Sequence, residues 1–222
     1  MANIKGVDAA MAVIHGKAEA NLIDYQFVMW CLKDYASPRA KLGRLIHDEA
    51  LIRLKKGLYL LGPQFLHHPY CLELLANLIH GPSYVSLERA LYIYGMIPEH
   101  VEAITSVTAK SSCNFRTPVG NFIYAHCHPK SYSIGVTTRN YAENENPFIA
   151  TREKALTDML TIRRGKITSQ KELESILLED LRIEEEDLLQ LDLDLIQEIY
   201  QVHPHSAVHF LKNWLTEFKA KQ

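Results

Sequence analysis

The sequence predicts an α+β fold in two parts, and three observations carry that prediction. Apolar residues recur at helical spacing from Asp24 to Leu51, and again from Pro69 to Tyr94. The period then changes to alternation between Glu102 and Arg139, where Thr, Val, Ile and Tyr concentrate. Helical spacing returns at Thr151 and continues, interleaved with acids, to the end. Gly62-Pro63 punctuates the chain and divides it into residues 1–64 and residues 65–222.

The first part has a definite order of elements. MANIKGVDAAMAVIHG contains a short helix that packs on the rest of this part. Asp24 caps a helix over DYQFVMWCLKDY, with Phe27, Val28, Cys31 and Leu32 at helical spacing. Ser37-Pro38 starts a second helix, PRAKLGRLIHDEAL, because a hydroxyl at the N-cap and proline at the first helical position are both favoured there. Leu42, Leu45, Ile46 and Leu51 form its buried stripe. Gly43 costs about 1 kcal/mol of helix propensity and permits close approach to the preceding helix or to a phosphate. Two apolar runs, Ile52 to Leu54 and Leu58 to Leu60, flank Lys55-Lys56-Gly57 as a hairpin with a bulge. Helix, turn, helix and hairpin in this order predict an N-terminal winged helix-turn-helix.

Charge gives that module a partner. From Lys33 to Gly62 seven basic residues face three acidic ones, a local net charge of +4 in a chain of net charge −2. A local excess of this kind neutralises phosphates, and the first turns of a recognition helix meet base edges. Ser37, Arg39, Lys41 and Arg44 on the helix, with Arg53, Lys55 and Lys56 on the hairpin, are the expected DNA-binding residues. The competing reading is a solvated basic face on a winged-helix module that binds protein.

The second part is expected to be a mixed α/β domain with a small sheet and C-terminal helices. A helix over Pro69 to His80 ends at Gly81-Pro82, and Ser86 caps another that ends at Gly95. EAITSVTAKSS, FRTPVGNFIYAHCHP and SYSIGVTTR read as three or four strands, with a turn at Pro118-Val119-Gly120. Glu143 to Pro147 reads as a loop. Ser169 and Glu172 form a capping box. Between Lys171 and Asp194, ten acids outnumber two bases, and interleaved Leu and Ile make the run an amphipathic tail. The last helix spans Ser206 to Lys219. The basic head and acidic tail predict that the tail faces away from DNA, toward a protein or another copy.

Composition and motifs exclude several classes. With 47% hydrophobic and 23% charged residues the chain is of ordinary soluble type. No apolar run approaches the ~20 residues of a membrane span, and no signal-peptide core is read at the N-terminus. Cys31, Cys71, Cys113 and Cys127 lack CxxC spacing, which favours a reducing cytoplasm. No GxSxG, GxGxxG or GxxxxGK[ST] motif occurs, so neither a catalytic nucleophile nor a cofactor is expected. His126, Cys127 and His128 with Cys113, and His203, His205 and His209, give incomplete ligand sets, and no metal is assigned. Glu153 and Asp158, five apart, are expected to pair with neighbouring cations rather than to act as an acid–base couple. Tyr84, Tyr92 and Tyr94 could stack bases, but helical packing is the simpler use.

Three stretches together resemble a known family: RLKKGLYLLG at the hairpin, GPSYVSLERALYIYGMIPE with the adjoining ITSVTAKSS, and FIATREKALTDML. Their order is similar to that of the AbiEi-type antitoxins of abortive-infection (type IV) toxin–antitoxin systems, over roughly Tyr25 to Leu160. The resemblance implies a winged-helix domain, repression of the protein's own operon at inverted repeats in double-stranded DNA, and counteraction of a nucleotidyltransferase-like toxin. Cooperative self-association on DNA is expected, since one module buries a small interface. The alternative is a stand-alone winged-helix regulator whose C-terminal domain senses a ligand or a protein.

Overall fold

Asp24 ends a short strand and starts a helix in the computed structural model of the chain, which describes residues 9–141 and 146–220. Its Oδ1 accepts the Phe27 amide at 2.8 Å, satisfying one of the orphan donors of the first turn. This junction lies in the first of two units, residues 9–70 with 115–119; residues 71–114 with 120–220 form the second. The whole is mixed α+β, with a small sheet and C-terminal helices.

The first unit runs α1 (Ala9–Lys17), β1 (Leu22–Asp24), α2 (Tyr25–Cys31), α3 (Pro38–His47), β2 (Leu51–Lys55) and β3 (Leu58–Leu61). The strands form an antiparallel sheet of order β1-β3-β2. Met11 and Ile14 of α1, Val28 of α2 and Leu42 and Leu45 of α3 meet Leu51, Tyr59 and Leu61 of the sheet in one core. Each such side chain contributes roughly 1.5–3 kcal/mol by leaving water. The helix expected near the N-terminus is present as α1; residues 1–8 of that stretch lie outside the described residues. Both predicted helices of the pair form, each shorter than its apolar pattern. Before β1, buried Asn21 donates to the His68 carbonyl and accepts the His67 amide, both at 2.8 Å, pinning the segment that leaves the sheet.

The second unit contains α4 (Leu72–Ile79), β4 (Ser83–Val85), α5 (Leu87–Ile93), β5 (Ile104–Thr108), the start of β6 (Cys113–Thr117, of which residues 115–117 are counted with the first unit), β7 (Gly120–His126), β8 (Val136–Thr138) and β9 (Phe148–Ala150). Helices α6 (Arg152–Asp158), α7 (Gln170–Ser175), α8 (Glu185–Leu189), α9 (Leu193–Val202) and α10 (Ser206–Ala220) come after the sheet. π-helical turns continue α6 over Met159–Arg164 and α7 over Ile176–Asp180. The strand order is β6-β7-β5-β4-β9-β8, with β5–β7 and β4–β9 parallel. Helices α4 and α5 pack on the central strands, and α6 packs on α5 and α9. The turn predicted at Pro118-Val119-Gly120 joins β6 to β7. Glu143, Asn144 and Glu145 of the expected loop lie outside the described residues.

Two strands exceed the expectation. β4 is buried at all three positions and β9 at two of its three, so neither shows the alternation that marks a half-buried strand. Ser86 also departs from its predicted role. It precedes α5 but makes no side-chain cap; its hydroxyl is spent on Asp158 instead. The capping box at Ser169 forms in a shifted version. Glu172 N donates to Ser169 Oγ, and the Glu172 carboxylate accepts from Thr168 N and Oγ, both at 2.8 Å.

Candidate functional site

All seven residues assigned from the sequence lie in the first unit. Ser37 is exposed at the N-cap of α3, and its side chain makes no capping bond. Arg39 and Arg44 are exposed, and Lys41 is partly covered, with its ammonium 5.5 Å from the Tyr35 ring centroid. The buried side of α3 is Leu42 and Leu45. At about 100° per residue, Arg44 falls on the outer face, Lys41 lies about 60° from it and flanks the buried side next to Leu45, and Arg39 stands about 140° from Arg44. The three cations therefore do not form a single stripe.

Arg39 has its own anchor. Its Nε donates to the Tyr25 hydroxyl at 3.2 Å, and the Tyr25 amide donates to the Gly57 carbonyl at 3.0 Å. Gly57 has φ of 85°, and a Cβ there would stand 3.9 Å from that of Tyr25. Tyr25 thus bridges the first turn of α3 to the tip of the β2–β3 hairpin. Lys56 is exposed at that tip, and Lys55, beside it, is partly covered. Pairing shifts between Arg53 opposite Tyr59 and Lys55 opposite Leu58, so the strand carries the bulge expected of this loop. Arg53 is exposed on β2. The arrangement puts arginine, with its planar fork of donors, and lysine, a mobile point charge, on neighbouring projections of one small unit.

A second polar centre, in the second unit, was legible only in part. Lys154 and Asp158, one helical turn apart on α6, pair at 2.7 Å with side chains 2% and 4% exposed. Asp158 Oδ2 also accepts from the Tyr84 hydroxyl at 2.9 Å and from Ser86 Oγ at 2.8 Å. Burial, and then the Asp158 carboxylate, raise the Tyr84 pKa far above the usual phenol range. The same two causes raise the Cys127 thiol, disfavouring its thiolate. Sequence reading paired Asp158 with nearby cations but left out Tyr84 and Ser86. The signal available was a lysine and an aspartate at i and i+4 on a helix that also carries Ala155 and Leu156 on its buried side. Tyr84 is buried on a strand, so it is neither a stacking platform nor a helix residue. Glu153 instead caps backbone, accepting the Asp192 amide at 2.9 Å.

The histidines do not converge as ligands. His126 pairs with the Lys110 carbonyl beyond the end of a strand, while His128 stacks on His203 with centroids 4.7 Å apart. Among the described residues no group of three or more His, Cys, Asp or Glu is placed to hold a metal ion. No helix among them is long and apolar enough to cross a membrane. Compared with known proteins, the chain matches no family profile and no curated protein.

Proposed function

We propose that the protein is a DNA-binding transcriptional repressor of the winged helix-turn-helix class, serving as the antitoxin of a type IV toxin–antitoxin pair. The observation that carries the DNA-binding part is the link from Arg39 through Tyr25 to Gly57, which joins the start of α3 to the hairpin tip. A helix start and a hairpin tip coupled in this way can engage one duplex together, the helix at base edges and the tip at phosphates. The element order α1-β1-α2-α3-β2-β3, with β3 between the other two strands, supports the winged-helix reading. In this reading α3 is the recognition helix and the β2–β3 hairpin is the wing. Arginine on α3 suits guanine, because its fork matches O6 and N7.

The antitoxin part rests on the resemblance of the hairpin, serine-helix and TREKAL stretches to AbiEi-type proteins. The partners would be an inverted-repeat operator and a nucleotidyltransferase-like toxin. Footprinting of the intact protein on the region upstream of its own gene tests the first part, with protection of two half-sites about one helical turn, or a multiple of it, apart as the expected result. Absence of any retarded complex at low salt would return the module to a protein-binding role. Co-expression with a neighbouring nucleotidyltransferase-like gene tests the second part. Unrelieved growth arrest would leave a stand-alone regulator.

A further inference from the structure

The second unit contains a cavity of about 350 Å³. It opens between the segment after β7, the π-helical turn after α6 and the end of α9; Thr161 and Ile162 of that turn line it. Lys154 is the buried cation of its wall. Of the three ammonium protons one goes to Asp158, and the ammonium lies 5.7 Å from the Tyr84 ring centroid. Asp158 is the one carboxylate among the lining residues, and it already accepts from Lys154, Tyr84 and Ser86. The other titratable residues of the lining are the Cys127 thiol and four histidines.

Two of those histidines have their tautomers set by the backbone. The Lys130 amide donates to His128 Nδ1 at 3.3 Å, and the Ala207 amide donates to His205 Nδ1 at 3.2 Å. A ring nitrogen that accepts holds no proton, so each neutral ring keeps its proton on Nε2 as a donor. His203, stacked on His128, is depressed in pKa by burial first and then by His128, His205, Lys154 and Lys130. The neighbouring cations add to that burial effect, while Asp158 offsets the charge of Lys154 on one side of the cavity. Ile162, Ile199 and Val208 supply apolar wall. Ligand cavities commonly begin near this volume, with apolar walls and a few convergent polar groups.

We propose that this cavity binds a small organic anion, its carboxylate or phosphate head on Lys154 and the histidine rim and its apolar body on Ile162, Ile199 and Val208. The site is independent of whatever the first unit binds, and direct binding reads it out without DNA. Titration of the intact protein with phenyl phosphate, benzoate and the neutral analogue benzamide, followed by calorimetry and by amide NMR, tests it. At least one anion should bind with submillimolar affinity and benzamide about tenfold or more weaker, with shifts centred on Thr161, His203 and His205. In Lys154→Met with Asp158→Asn, which removes both buried charges together, anion binding should fall about tenfold or more. The double variant His128→Gln with His205→Gln alters only the rim and gives the same direction of change should the first variant fail to fold. No binding of either anion at millimolar concentration, equal binding of benzamide, or shifts confined to other surfaces would overturn the assignment.

Discussion

Asp158 illustrates what one buried residue must satisfy. Its carboxylate holds an ammonium, a phenol and a hydroxyl, and it ties α6 to β4 and to the turn before α5. Leu87, next to Ser86, is held at φ of 58°, a left-handed conformation that costs an ordinary side chain roughly 1–2 kcal/mol. The surroundings fix that turn: Thr105 Oγ donates to the Ser86 carbonyl at 2.7 Å and accepts the Arg89 amide at 3.0 Å. A buried pair is poor evidence of net stabilisation, because desolvation offsets much of the attraction, but breaking one side leaves an uncompensated charge. Asp158→Ala should therefore lower stability by about 3–5 kcal/mol in urea unfolding. Lys154→Met with Asp158→Asn should recover most of that loss. A single variant as stable as the parent would mean that the pair does not hold α6 to β4 and the turn before α5.

At the scale of elements, the hairpin makes the sharpest claim. Lys55 and Lys56 sit at a turn whose backbone is set by Gly57 and tied to α2 through Tyr25, so the pair can be removed without touching the core. In Lys55→Ala with Lys56→Ala, binding to all duplexes should weaken and the slope of log affinity against log salt should flatten by about two units. An unchanged slope would take the tip off the contact surface. The sequence carried this region well, because turn glycine, N-cap aspartate and helical spacing are local signals. Alternation exposed β7 but not β4 or β9, which are short and buried nearly throughout. Nor could spacing reveal that the Ser86 hydroxyl serves Asp158, 72 residues away, rather than its own helix. The basic residues were identifiable by type and their angular spacing by position, but that Lys41 is partly covered while Arg39 and Arg44 are exposed depends on which side of α3 faces the core.

Across the whole molecule the two charge excesses have different structural standing. Arg39, Arg44, Arg53 and Lys56 of the first unit are exposed groups around a small core. The acids from Glu172 to Asp194 alternate with Leu173, Leu177, Leu188 and Leu191, all buried. Helix α10 packs on α7, α8 and α9, and α6 packs on α9, so the acidic stretch is a wall of the second unit and not a detachable arm. Its exposed acids would repel phosphate. Truncation after Lys171 would strip Leu156 and Leu160 of packing partners and open the Lys154–Asp158 pair to water. Exposure of that much apolar surface predicts loss of near-ultraviolet circular dichroism and rapid proteolysis of what remains of the second unit. Charge reversal of exposed acids alone, Glu174→Lys with Glu186→Lys, should leave both readouts intact and raise non-specific DNA affinity at low salt. A truncated chain with native dichroism and protease resistance would instead make the segment an independent appendage, and the acidic wall would lose its role in the fold.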